Sequence, residues 1–331
     1  MKTLLASTAL SVVCAAGVAS AQDCGSVSIA NMNVQSAEIL ANIDKIILEE
    51  GYDCDVSLVP GDTVPTGTSM VEKGGPDLSP ETWVDLLPEI IPRGLEEGKI
   101  VQGAPALHDG GVQGWWIPKY VADAHPDIKT VDDALAHPEL FPHPDDPSQG
   151  AIFNGAQGWG ATVVTGQLFK AYDAENKGFG LVEPGSAAGL DGLIARAYER
   201  EQGFITYYWA PTGLLAKYPL VKLEASVEHD PAEWTRCITV VDCPDPKVSA
   251  WPVDRVYSIM TKSFSESTSP EVVKYLDTRS WGNEKVAEIL AWMTDNQATG
   301  EDAAYHFLEE NADIWTPWVS PDAAEKISSA L

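Results

Sequence analysis

The chain has 331 residues, with 21 Lys+Arg against 49 Asp+Glu and a formal net charge of −28. So acidic a protein is not built to grip a phosphate backbone, whose affinity comes from clustered cations. A hydrophobic fraction of 44% with 21% charged residues excludes a disordered chain and supplies the core of one large domain or two lobes.

Lys2 precedes an apolar run from Leu4 to Val18, followed by Ala19-Ser20-Ala21. A positive start, an apolar stretch and an A-x-A site read as a secretory signal peptide over residues 1–21, removed after Ala21. A retained anchor is the rival, but the run is short of the ~20 residues a span needs. Lipidation at Cys14 is disfavoured, because bulky Val13 stands where such sites take a small residue. The expectation is an exported, periplasmic protein.

Next, residues 27–30 and 56–59 are strand-like and flank a helical stretch, 37–50. Ile39, Leu40, Ile43, Ile46 and Ile47 recur there at helical spacing, and Gly51 ends it. Such a strand-helix-strand unit makes the two strands parallel neighbours with adjacent N-terminal ends. Cys24 and Cys54 stand just before those strands, so they are expected to pair, leaving Cys237 with Cys243. An even cysteine count in an oxidising compartment favours two disulfides. Closing the first loop contributes about 3–4 kcal/mol. A metal site is the competing reading, but no C-x-x-C spacing exists.

Residues 60–68 read as a Gly/Pro/Thr loop, and Ser79-Pro80 as part of a second loop that delivers Trp83. A Pro-interrupted helical stretch then runs to Gly98. Residues 114–118 look extended, and 138–147 are Pro-rich with Asp145-Asp146. Residues 152–160 are a strand-to-turn signal opening a helix at Ala161. Residues 201–209 favour a pleated surface. Residues 253–260 are strand-like, and 270–279, 283–294 and 303–311 helical. This alternation predicts an α/β fold of mainly parallel sheet covered by helices. Two α/β halves, one interrupting the other, place a ligand cleft between lobes. The expected division is a signal peptide 1–21, one lobe from 22–114 plus 252–331, and a second from 115–251.

Chemistry-bearing motifs are scarce. There is no G-x-S-x-G elbow, P-loop, H-E-x-x-H or intact G-x-G-x-x-G. His137 and His143 flank the Pro-rich turn and read as solvated loop residues ahead of metal ligands. Asp145-Asp146 is a candidate calcium site, since calcium takes oxygen ligands; a solvated acidic turn is the blander reading. An exported hydrolase acting through Asp145, Asp146 or His143 is the rival from another class.

The chain carries 11 Trp, more than its 7 Phe. Trp83, Trp159 (in Gly158-Trp159-Gly160) and Trp209 (in Tyr207-Tyr208-Trp209-Ala210-Pro211) fall at junctions of predicted strands and loops, the parts that line a cleft. A single Trp is more often packing than binding. Indole faces attract cations, however, and a trimethylammonium group, which has no N–H to donate, is held naturally by aromatic faces.

Trp115-Trp116-Ile117-Pro118-Lys119-Tyr120-Val121-Ala122-Asp123, the segment Phe141-Pro142 through Asp146-Pro147-Ser148, Gly158-Trp159-Gly160 and Tyr208-Trp209-Ala210-Pro211 carry a resemblance. In their order and spacing they resemble the substrate-binding proteins of ABC transporters for glycine betaine, choline and related trimethylated amines. The resemblance implies a two-lobed, type II periplasmic-binding-protein clamp that performs no chemistry, requires no cofactor and hands its ligand as a monomer to a membrane permease. It places Trp83, Trp159 and Trp209 in an aromatic cage, with Trp115 or Trp116 as a further wall. The Gly160 and Ala161 N–H groups would receive the ligand's anionic oxygen. Glu38 is either a polar contact or an exposed residue of the first helix. The likeness narrowly favours the trimethylamine N-oxide branch over glycine betaine and choline. A ligand-sensing receptor subunit is the reading that sequence does not separate from a transport protein. Trp234, Trp251, Trp281, Trp292, Trp315 and Trp318 are expected to pack.

Overall fold

The computed structural model describes residues 24–331, so the expected signal peptide and Cys14 lie outside the described residues. β1 (Ser26–Met32) and β2 (Asp55–Gly61) pair in parallel, Ser26 opposite Asp55 and Met32 opposite Gly61. α1 (Gln35–Ile46) lies between them in the chain and loosens into a π-helical end, Ile47–Gly51. Its Ile39, Leu40, Ile43 and Ile46 are buried, the spacing of one helix face. This register sets Cys24 beside Cys54 in a disulfide with Cα atoms 4.9 Å apart; Cys237 and Cys243 form a second at 5.4 Å.

Two stretches read as loops are regular structure. Residues 60–68 contribute the start of α2 (Thr63–Lys73). Pro65 falls in the first turn, where its missing N–H has no intrahelical partner to lose. The Ser-Pro segment is β3 (Leu78–Trp83), buried along its length. It pairs with β1 at Leu78 and, antiparallel, with the strand Val253–Thr261, and the register slips between Ser79 and Thr82. Pro80 therefore sits in a bulge, where a missing donor interrupts no ladder bond. Beyond α3 (Ile90–Glu96), the extended segment predicted at 114–118 is only the end of β4 (Ile100–Pro118). Gly103, Pro105, Gly110 and Gly111 obscure its earlier part, and its register shifts there too.

The chain continues through α4 (Lys119–Ala124), α5 (Val131–Leu135), β5 (Gly150–Phe153), α6 (Gly160–Ala171), β6 (Phe179–Val182), α7 (Ala187–Glu199), β7 (Ile205–Ala210), β8 (Leu220–Lys222) and β9 (Val253–Thr261). The strands form one sheet in the order β2-β1-β3-β9-β4-β7-β5-β6, with β8 on β4. Both ends of the sheet are parallel, as the alternation predicts, while β4 and β9 make its middle antiparallel. Val112 is where β4 changes partners: it pairs with Val253 of β9 on one side and Ala210 of β7 on the other. Helices flank the sheet, and the C-terminal ones bury Trp281, Trp315 and Trp318 in the core.

A buried ion pair lies beneath this core. Arg279 and Asp44 are both fully buried, with Nε 2.7 Å from Oδ1. The Tyr275 hydroxyl donates to the same Asp44 oxygen, and Arg279 Nη2 donates to Ser258 Oγ (2.6 Å) and to the carbonyl of Pro80 (3.2 Å). The guanidinium thus ties α1 to the β3 bulge.

Candidate functional site

A cavity of about 300 Å³ opens between the two ends of the sheet. Val34, Thr63, Trp83 and Leu86 line it from the β1-β3 end, Trp159, Ala161, Tyr207 and Trp209 from the β5-β7 end, and Gln113 of β4 from between. All three tryptophans singled out in the sequence therefore meet at one pocket, although together they span more than 120 positions of the chain. Trp159 meets Trp209 edge to face, with centroids 5.1 Å apart at 88°. Tyr207 lies nearly parallel to Trp209 at 6.1 Å. A wider, more polar cavity of about 680 Å³ shares Val34 and Trp209 with this pocket and is bordered by Ser36, Glu38, Asp191, Tyr208 and Thr212.

Strand register explains the membership. Gln113 lies opposite Trp209, and Trp115 opposite Tyr207, so these four side chains share one face. Tyr207 and Gln113, which sequence reading missed, enter the pocket on that face. Trp115 sits one pair farther along and packs against Tyr172, centroids 5.7 Å apart. Trp116 faces the other way, its indole N–H donating to the carbonyl of Tyr208 (2.8 Å). Neither Trp115 nor Trp116 lines the aromatic pocket, and the fourth aromatic ring in its lining is Tyr207.

The pocket's indoles are held from outside the cavity. Gly111 lies under Trp83, and a Cβ there would overlap the indole. The Trp83 N–H donates to Glu81 Oε1 (3.0 Å), which also accepts the Ser36 hydroxyl (2.9 Å). Glu81 Oε2 is buried with no hydrogen-bond partner among the described residues. Burial pushes the Glu81 carboxyl up, against the pull of Trp83, Ser36 and Arg279. The Trp159 N–H donates to Asp62 Oδ1 (3.2 Å), on the opposite side of the pocket. Gly158, at φ +93°, accepts the Val64 N–H at its carbonyl (3.3 Å) and leaves room for Asp62, whose carboxyl burial pushes up.

Gly160 and Ala161 open α6, and no side chain caps that end. Only Ala161 of the two lines the pocket. Glu38 instead borders the wider cavity and accepts the Gly300 N–H (3.2 Å). Asp145, Asp146 and His143 lie on an exposed loop remote from the pocket lining. Asp146 commits both oxygens to its own turn, accepting from Ser148 and Gln149, and the His143 ring faces the Asp145 and Asp146 N–H groups. A calcium shell needs six or more oxygens aimed at one point. Among the described residues, no third carboxylate or imidazole joins that pair at ligating distance. The hydrolase reading would need these residues in the cleft, and none of them lines that pocket. His137 pairs with Glu139 at the surface.

Behind Gln113 runs a buried relay. The Tyr207 hydroxyl donates to Gln113 Oε1, and Gln113 Nε2 donates to Asp254 Oδ2 (2.6 Å). Burial, aided by Asp85 and opposed by Gln113 and Arg255, pushes the Asp254 carboxyl up to about 8. The unfolded chain loses that proton above about pH 4, so folded stability falls as pH rises from there towards 8. Asp254→Asn is expected to melt about 2–4 °C above the parent at pH 9 and to converge with it in mild acid. Parallel pH profiles for the two proteins would refute this assignment.

Residues 25–310 match the OpuAC family, the substrate-binding domain of ABC-type glycine betaine transport systems. The chain belongs to this family. It is accordingly a transport substrate-binding protein and not an enzyme. The chain is 24% identical over 323 residues to the trimethylamine N-oxide-binding protein of Pelagibacter ubique (strain HTCC1062), covering 96% of this chain and 98% of that one. Its fold is that of type II periplasmic binding proteins. It matches a choline-binding ABC-transporter protein in complex with choline (TM-score 0.71, 21% identity, 93% and 98% covered). It also matches the glycine betaine/L-proline-binding protein ProX of Borrelia burgdorferi (TM-score 0.71, 16% identity, 91% and 99% covered). Among the described residues, no helix of this OpuAC-family chain is long and apolar enough to cross a membrane.

Proposed function

We propose that the chain is the periplasmic, monomeric binding protein that delivers a compact trimethylated amine to an ABC permease, trimethylamine N-oxide first and glycine betaine or choline after it. The observation that carries this reading is the convergence of Trp83, Trp159, Trp209 and Tyr207 on one small, apolar pocket. A trimethylammonium group loses little water on entering such a space, and each dry indole contributes roughly 1–2 kcal/mol of cation–π attraction. The ligand's anionic oxygen is received at the start of α6, where the Gly160 and Ala161 N–H groups and the helix dipole favour negative charge. Lobes 22–114 plus 252–331 and 115–251 close over it, after export and removal of residues 1–21. No cofactor enters, because indole faces and backbone donors account for recognition.

The preference for trimethylamine N-oxide is supported by the size of the pocket and by the nearly full-length likeness to the Pelagibacter ubique protein of that specificity. No carboxylate lines the pocket itself, which favours a ligand that carries its own negative end. Calorimetry on protein freed of ligand by unfolding and refolding tests the reading against trimethylamine N-oxide, glycine betaine, choline and carnitine. Trimethylamine N-oxide is expected to bind most tightly. Absence of heat with all four would end it.

A further inference from the structure

Two of the three cage indoles end on carboxylates that have no ion-pair partner among the described residues. An Asp at the N-cap of a helix ordinarily accepts the helix's first N–H groups. Asp62 is the N-cap of α2, yet its side chain makes no capping bond and takes the Trp159 N–H instead. Glu81 is buried with no ion-pair partner among the described residues. The nearest cation, Arg279, is engaged with Asp44. Burying a carboxylate without an ion-pair partner is costly, so Glu81 calls for an explanation that packing alone does not provide, as does the half-buried Asp62 that forgoes its cap.

Ring chemistry provides one. The indole N–H lies in the ring plane at its edge, so a carboxylate that accepts it leaves both π faces open. The same hydrogen bond draws electron density into the ring and deepens the negative potential of those faces. A cation held against the faces is then opposed by a charge one ring away that it never touches and that does not compete for the pocket.

We propose that Glu81 and Asp62 are positioning residues of the cage: through the N–H groups of Trp83 and Trp159, their carboxylates fix both indoles and supply the countercharge for a ligand's quaternary nitrogen. The two act from the same side of the cleft on rings from opposite sides. Trp83 is set within its own half of the sheet, whereas Trp159 is set only when Gly158 and Val64 are brought together. This inference rests on the cage reading above.

The substitutions Glu81→Gln and Asp62→Asn keep an amide oxygen for the indole N–H and remove only the charge. Choline, a net cation, and glycine betaine, net neutral, are titrated into the refolded parent and both variants, with competition against the tightest ligand where binding is weak. At an effective dielectric of about 20, a unit charge one indole away corresponds to about tenfold in affinity for choline. For glycine betaine the ligand's own carboxylate offsets this to about twofold. Each variant is expected to weaken choline about tenfold and glycine betaine about twofold. Equal losses for both ligands, or none, overturn the countercharge and leave a packing role. A parent that binds trimethylamine N-oxide but no choline overturns it too. A parent that binds none of the amines fails the cage reading first. Retained glycine betaine binding in the same variants shows that they are folded.

Discussion

Trp209→Ala and Trp159→Ala are each expected to weaken binding of the trimethylated ligand at least a hundredfold, while thermal unfolding stays cooperative. Truncating a central, desolvated Trp costs about 2–4 kcal/mol at an interface, and the two losses are not independent. Trp209 touches Trp159, Tyr207 and Tyr208, with centroids at 5.1, 6.1 and 4.6 Å. Removing it frees three neighbours as well as one wall, so the double variant should lose less than the sum of the singles. The fold survives because β7 keeps its backbone ladder to β4. Trp292→Ala is the control, since that ring stacks on His306 at 3.9 Å and belongs to neither cavity. Calorimetry on the four variants checks the set. Affinity within tenfold of the parent in both cage variants would remove the cage as the binding element.

Arg279→Met carries the largest expected cost in stability. It strands the Asp44 carboxylate in a site that is fully closed to water. It also leaves the Pro80 carbonyl and Ser258 without their guanidinium donor. Breaking a buried pair on one side typically costs 3–5 kcal/mol, which at roughly 2–4 °C per kcal/mol is a drop of about 10 °C in melting temperature. Burial already pushes the Asp44 carboxyl up, with Arg279 and Tyr275 opposing. Without Arg279 the group takes up a proton, so the deficit should deepen as pH rises. Adding Asp44→Asn should restore much of the loss, because no charge is then left unpaired. Scanning calorimetry of the single and double variants decides it; a single variant melting within 2 °C of the parent, taken as roughly 1 kcal/mol or less, would show that the pair contributes little.

What could be read in the residues divides along a physical line. β1, α1 and β2 announce themselves through local periodicity, and the Cys24–Cys54 bond follows from their order. Trp83, Trp159 and Trp209 were legible as candidates because each stands at or near an element boundary with a glycine or proline within three positions. Tyr207 and Gln113 were not, since their place depends on which residue of β4 faces which residue of β7, a pairing across 90 positions that no local pattern encodes. β3 was hidden by Pro80, whose bulge is allowed only by the strand beside it. No local pattern singles out Glu81 or Asp62. Their connection to the indoles comes from folding alone.

The row of rings has an optical consequence. From Trp159 the aromatics run through Trp209 and Tyr207 to Trp251 and Trp234, with successive centroids 5.1, 6.1, 5.5 and 5.5 Å apart. Chromophores so close and so variously tilted share their excited states and rotate polarised light as a group. A ligand that docks against one member alters the emission and near-ultraviolet dichroism of the whole series. The protein thereby carries its own reporter, readable without a dye or a label, and the signal should report closure of the pocket as well as its occupancy.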